Sequence, residues 1–162
     1  MQRFSHPFPP FMDENSEILI LGTFPSIKSF EQNFYYAHPQ NQFWKLLAGV
    51  FEEDTPKTTQ QKRVFLKKHN IALWDVIKEC KRENSLDSNL KEIELNDFEM
   101  LLKDYPNIKK IFFTSKTAQK HFEKNFKNLE IECRYLASPS PAYAKMTFEE
   151  KLQRWREVFE NR

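Results

Sequence analysis

The segment Tyr35-Tyr36-Ala37-His38-Pro39-Gln40-Asn41-Gln42-Phe43-Trp44 places a neutral carboxamide and an imidazole among four aromatic rings. Such rings offer faces on which a planar ligand stacks, and an asparagine beside them can orient a water or a ligand edge without being a strong base. The plainer reading is also open: Asn41 is a favoured helix N-cap, and the rings can belong to a core. At Ser138-Pro139-Ser140-Pro141-Ala142, alternating proline fixes φ and leaves serine hydroxyls and amides for a phosphate oxygen, unless the stretch is only a stiff loop. Asp75 is the carboxylate that could act as a true base, or could simply cap the turn after it. His38, before a proline, sits on extended backbone and braces its loop or touches phosphate.

These groups need elements to hold them. Glu17 to Gly22 is a short apolar run stopped by glycine, the pattern of a strand buried on both faces. Ile71 to Trp74, Ile108 to Phe113 and Ile131 to Leu136 read as three more strands. Helical patterns alternate with them: Phe43, Leu46, Leu47 and Val50 after Asn41; Lys57 to Lys68 with Val64 and Phe65 turned inward; Asp97 to Lys103; and Thr117 to Phe126. A last helix carries Phe148, Leu152, Trp155 and Phe159 on one stripe and opens with the capping box Thr147…Glu150. This alternation predicts one α/β domain spanning 1–162, a three-layer α/β/α sandwich around a short, mainly parallel sheet of about four strands. Ligands bind such sheets beyond the carboxyl ends of the strands, where Gly22 to Asn41, Asp75 to Ser88, Thr114 to Lys116 and Ala137 to Lys145 gather. The polar stretch Lys81 to Leu95 reads as a surface excursion.

Composition removes several functions. With two glycines in 162 residues, neither a dinucleotide-binding turn nor a phosphate-binding P-loop can be built. Two cysteines cannot ligate an iron–sulfur cluster, and free thiols fit a reducing cytoplasm. His6, His69 and His121 lack metal-ligand spacing to another His, Cys or carboxylate, so no metal is expected. No apolar run is long enough to span a membrane. A net charge of +2 neither requires nor repels a polyanion.

Taken in order, a strand, Gly22-Thr23-Phe24-Pro25-Ser26, the YYAHPQNQFW segment, Ile71 to Ile77, and SPSPA before an amphipathic helix resemble the uracil-DNA glycosylase superfamily. More narrowly they resemble its hypoxanthine-DNA (DNA-deoxyinosine) glycosylase branch, family 6. The resemblance runs from about Ile18 to Trp155 and is strongest over GTFPS…YYAHPQNQFW. It implies an enzyme of base excision repair acting on double- or single-stranded DNA that contains a deaminated base, without cofactor or cluster, and expected to be a cytoplasmic monomer. Much of the superfamily has a catalytic aspartate or asparagine where this chain has Phe24. In the hypoxanthine branch the role falls to the asparagine matched by Asn41. Tyr36 matches a ring that stacks on the extruded base, with Gly22, Thr23 and Phe24 completing the base site. Ser138, Ser140, Pro141 and Ala142 match the motif that grips the DNA backbone, joined by Ser26. Tyr143 stands where the branch has asparagine, so Tyr143 and Ala142 are both candidates for filling the gap in the duplex.

The expected reaction is monofunctional hydrolysis of the N-glycosidic bond, leaving an abasic site, with hypoxanthine first among the bases. Asp75, His38 and Tyr143 are secondary candidates. Lys28, Lys45, Lys116 and Lys145 are assigned to phosphate attraction, not Schiff-base chemistry. Two alternatives stay open: a uracil- or xanthine-directed enzyme, and a non-catalytic DNA-binding module of the same fold.

Overall fold

A computed structural model describes residues 2–32, 34–82, 90–143 and 145–160. Along the chain these form β1 (Gln2–Ser5), β2 (Ile18–Gly22), α1 (Ile27–Gln32), α2 (Phe43–Val50), α3 (Thr59–Lys68), β3 (Ile71–Asp75), β4 (Ile77–Arg82), β5 (Lys91–Leu95), α4 (Phe98–Asp104), β6 (Lys110–Phe113), α5 (Lys116–Asn125), β7 (Glu132–Tyr135) and α6 (Phe148–Glu160).

The expected parallel sheet is present, in the order β3-β2-β6-β7. Its centre is β2, whose five residues are all buried. Successive strand residues face opposite sides, so β2 feeds two cores at once. Ile18 and Ile20 join Leu73, Phe112, Leu46, Leu47, Phe65 and Trp155 on the side of α2, α3 and α6. Leu19 and Leu21 join Ile111, Phe113, Phe98, Leu101 and Phe122 on the side of α4 and α5. This is the three-layer sandwich predicted. The chain leaves β2 toward β3 on one flank and returns through β6 on the other, which makes the β2/β6 boundary the topological switch point.

Side chains cap the starts of α3, α4, α5 and α6, the Thr147 and Glu150 box among them as the sequence predicts. Thr58 accepts from Gln61 N–H and forms a capping box at α3, Asp97 caps α4, and Ser115 caps α5. Thr147 and Glu150 exchange their capping bonds at α6.

Two expectations are corrected. Val64 is 61% exposed, because the buried stripe of α3 is set by Phe65 and Leu66 and Val64 lies a further 100° round the helix from Phe65. The stretch Lys81 to Leu95 is not simply an excursion. Lys81 and Arg82 end β4, and β5 follows, while 83–89 lies outside the described residues. Together β1, β4 and β5 make a second, antiparallel sheet in the order β1-β4-β5. Its own core joins Phe24, Ile77, Cys80 and Leu90, packed by Phe4 and Phe30. This sheet matters for the site because it continues directly from the end of β3 and brings β1 against that end.

Phe98 is fully buried with its ring against Trp74, Phe122 and Phe126. Phe98→Ala is expected to lower the unfolding free energy by about 3–5 kcal/mol in urea denaturation.

Candidate functional site

Asn41, Asp75, His38, Tyr143 and the residues matched to the base and DNA-backbone motifs all line one cleft of about 700 Å³. It opens at the carboxyl ends of the parallel strands, over the switch point. A second cleft of about 800 Å³ lies at the opposite strand ends, where Lys68 and His69 are already bonded to Glu53 and no aromatic platform is present.

The floor of the first cleft is built around a missing side chain. A Cβ at Gly22 would stand 2.6 Å from Asp75 Oδ1, 3.1 Å from Tyr36 Oη and 3.5 Å from Thr114 Oγ1. Three polar groups, from the ends of β3 and β6 and from the YYAHPQNQFW loop, therefore converge on the bare face of the glycine that ends β2. Glycine is needed here for space, not for a positive φ.

Tyr36 is held at one face of its ring and at its hydroxyl. It stacks on Phe43 with centroids 3.9 Å apart and planes within 7°, and its hydroxyl hydrogen-bonds Thr114 Oγ1 at 2.9 Å. Its backbone sits at φ 52°, a region costly for a bulky residue, on the order of 1–3 kcal/mol. One face of the ring is thus taken by Phe43, and the platform is rigid before any ligand arrives.

Asn41 is not the N-cap itself. Gln42 holds that position in α2 and makes no side-chain cap bond, while Asn41 Oδ1 accepts from Phe43 N–H at 2.9 Å. That bond orients the carboxamide, since a backbone N–H needs the oxygen. Among the described residues Nδ2 has no hydrogen-bond partner, so the NH2 is the end available to a ligand. In the same cleft Phe24, 9% exposed, offers only a ring, packed edge-on against His6.

Asp75 does not cap its turn. Past Asp75 the main chain stays tied to the end of β2, Val76 N–H donating to Gly22 O at 2.9 Å, and Asp75 Oδ2 meets His6 Nε2 at 2.8 Å. His6 Nδ1 donates to Phe8 O at 2.7 Å, because a carbonyl can only accept. With Nδ1 carrying a proton, the contact to Asp75 holds another, so the pair is imidazolium with carboxylate or imidazole with carboxylic acid. Both are net neutral. Both side chains are only 6% exposed. Burial, with Asp75 and Tyr36 nearby, pushes the Tyr35 phenol well above its usual range, keeping it a donor, to Pro9 O at 3.4 Å.

The serine loop differs in detail from expectation. Ser140 N–H and Ala142 N–H are not open to a ligand: they donate to Ser138 Oγ and Ser140 Oγ, each at 3.2 Å. Each hydroxyl, accepting from the chain, keeps its own O–H to give outward. Ser26 is turned to α1, accepting from Ser29 N–H and donating to Ser29 Oγ at 3.2 Å. His38 Nδ1 accepts from Gln40 N–H and so braces its loop. Lys116 lies over the Tyr135 ring at 3.8 Å, and the side chain of Lys28 lies outside the described residues. Cys133 is no nucleophile, since burial and two nearby glutamates push its thiol up to about 11. The sequence reading brought the loop Thr114 to Lys116 to this edge without singling out Thr114 or Ser115, and it missed His6; Ser115 caps α5 and hydrogen-bonds Thr23 Oγ1 at 2.6 Å. Position after a strand was the available signal for Thr114 and Ser115, and none existed for His6.

Gly22→Ala must displace the Asp75 carboxylate from that 2.6 Å approach. It is expected to cost about 1–3 kcal/mol, measured as a lower unfolding midpoint.

Comparisons with known proteins bear on the chain as a whole. The model of the Uracil DNA glycosylase superfamily matches residues 9–161. A hypoxanthine DNA glycosylase of Methanosarcina barkeri is 38% identical over 94% of this chain and 96% of its own length. One of Methanosarcina acetivorans is 36% identical over the same shares. The solution NMR structure of a protein from Methanosarcina acetivorans, provisionally assigned as a uracil DNA glycosylase, superposes with a TM-score of 0.85 at 34% identity, covering 99% of this chain and 98% of that one. A fully buried β2, a cleft at the carboxyl ends of the strands and a match across almost the whole chain converge on one statement: this chain belongs to the uracil DNA glycosylase superfamily.

Proposed function

We propose that the protein is a monofunctional DNA glycosylase that hydrolyses the N-glycosidic bond of a deaminated base flipped out of DNA, hypoxanthine foremost, and leaves an abasic site. The observation that carries the reading is the Asn41 carboxamide, fixed by Phe43 N–H so that its NH2 is the end offered to the cleft.

A base must leave the stack before its glycosidic bond can be reached, at a cost of a few kcal/mol. Stacking on the preset Tyr36 ring returns about 1–3 kcal/mol and is tolerant of base identity. Discrimination then falls to polar groups. Deamination replaces an amino group by a carbonyl: adenine shows an N6–H2 donor, hypoxanthine an O6 acceptor. A fixed N–H donor matches the deaminated edge and leaves adenine with two donors facing each other, an unpaired arrangement that a dry pocket penalises. The same logic admits uracil and xanthine, so Asn41 selects deaminated bases as a class and the shape of the cleft ranks them.

Bond cleavage puts positive charge on the sugar and negative charge on the departing base. Asn41 Nδ2 and the backbone amides near Thr23 and Phe24 supply donors to the anionic base, while the second lone pair of Asn41 Oδ1 remains for the attacking water. Asp75 meets the cleft through Oδ1, with its other oxygen committed to His6. Ser138 and Ser140 give their hydroxyl protons to backbone phosphate, and Pro141, Ala142 and Tyr143 face the gap in the duplex. The substrate is double- or single-stranded DNA. Two cysteines outside any disulfide keep a reducing cytoplasm part of the proposal, and no described helix is long and apolar enough to cross a membrane.

Labelled duplexes holding one deoxyinosine, deoxyuridine, deoxyxanthosine or ordinary adenine test the reading. Alkali-labile product is expected first from deoxyinosine, none from adenine, and no strand scission without alkali. Binding without product would make the protein a DNA-binding module. Asn41→Ala is expected to slow single-turnover excision 10²- to 10³-fold, about 2.7–4 kcal/mol, with its circular dichroism unchanged.

A further inference from the structure

Lys151 is a charged side chain to which the reaction above gives no task. It lies in the first turns of α6 and is 2% exposed. Its Nζ donates to Gln42 Oε1 at 2.8 Å and to Ser140 O at 3.2 Å. Both acceptors are neutral, and burial holds the amine below the usual lysine range. The surrounding bonds share one pattern. One turn further along α6, Trp155 Nε1 donates to Ala137 O at 2.7 Å, and Gln42 N–H donates to Pro139 O at 2.9 Å. The carbonyls of 137, 139 and 140, all in the serine loop, are therefore each taken by a donor from α6 or from the start of α2. Lys151 is the member of this set that binds both partners at once, the loop and the residue next to Asn41.

A buried ammonium is a poor device for stability. Replacing such a charge by an apolar side chain of similar volume is often neutral or stabilising, because the desolvation cost disappears. What the ammonium offers is geometry, since one atom with three donors can join two acceptors on different segments.

We propose that Lys151 is a positioning residue that sets the distance between Asn41 and the Ser138–Ala142 loop, so that a nucleotide gripped by the loop presents its glycosidic bond to the carboxamide. This rests on the glycosylase reading, and it assigns Lys151 a role through Gln42 and Ser140 instead of a direct contact with DNA. Displacement of a reacting group by about 1 Å costs on the order of 10²-fold in rate, which sets the scale of the effect.

Lys151→Met keeps the stem and removes the ammonium. Its single-turnover rate on saturating deoxyinosine duplex is expected to fall about 10- to 100-fold, with the half-saturating DNA concentration little changed and the melting temperature equal to or above that of the parent. Amide hydrogen exchange at Gln42, whose N–H is bonded to Pro139 O, is expected to quicken. Gln42→Leu severs the same joint from the other side, and the double variant should lose no more than the worse single one. A folded Lys151→Met protein with the parent's rate overturns the proposal. So does a loss confined to DNA affinity with a shallower salt slope, which would make Lys151 a phosphate ligand. If Lys151→Met does not fold, Gln42→Leu decides by the same rate and exchange criteria. If the parent protein releases no base, the glycosylase reading fails on its own, and unchanged exchange at Gln42 in Lys151→Met would still sink the joint.

Discussion

The close approach at Gly22 is the constraint on which the rest of the site depends. Asp75 Oδ1 would lie 2.6 Å from a Cβ there, and the Tyr36 hydroxyl 3.1 Å. Because the position is empty, the ends of β2, β3 and β6 and the aromatic loop close to within hydrogen-bonding distance of one another. The sheet supplies the rigidity: β2 pairs with β3 through Gly22 beside Asp75, and with β6 through Leu21 beside Phe113. Tyr36 then has a partner for its hydroxyl and Phe43 for its ring, and can be held at a strained backbone angle without a ligand. Preorganisation of this kind is what a flipped base needs, since its extrusion already costs free energy.

The polar groups above this floor are oriented by short local bonds. Phe43 N–H turns the Asn41 oxygen inward, Phe8 O accepts from His6 Nδ1 and fixes its ring orientation, and the serine hydroxyls accept from their own loop. At Asn41 and at the two serines the bond consumes an acceptor and leaves a donor for the cleft. Net neutrality of the His6 and Asp75 pair fits that arrangement, because an unshared carboxylate would oppose both a phosphate and an anionic leaving base. A donor-lined, weakly charged cleft suits a ligand whose charge develops only as its bond breaks.

The parallel sheet was legible because its strands are buried on both faces and therefore read as unbroken apolar runs, such as Ile18-Leu19-Ile20-Leu21. The small antiparallel sheet was not. β1 and β5 are largely exposed, and their cross-strand ion pairs, Arg3 with Glu79 and Lys81 with Glu92, give them the composition of a loop. Its omission hid His6, which reaches Asp75 only because β1 pairs with β4, across a separation of 69 residues. Site positions fared better where they follow a strand or carry a motif, as Gly22, Asn41 and Ser138 do. The choice between N-cap and ligand-facing roles for Asn41 turned on a one-residue shift in the start of α2, which no propensity resolves. Lys151 was hidden for another reason: a lysine among charged residues on a C-terminal helix reads as solvated surface, and only the loop folding over it buries the amine.

The central claim is that Asn41 acts as an oriented donor and not as a base. Single-turnover excision from a deoxyinosine duplex by Asn41→Asp separates the two. A carboxylate there still accepts from Phe43 N–H and preserves the start of α2, but it offers no donor and sets a negative charge beside the departing base. The account predicts a loss of at least about 10²-fold at an unchanged melting temperature, as for removal of an anion-stabilising donor. A rate equal to or above that of the parent would show that position 41 activates water as a base, and would contradict it.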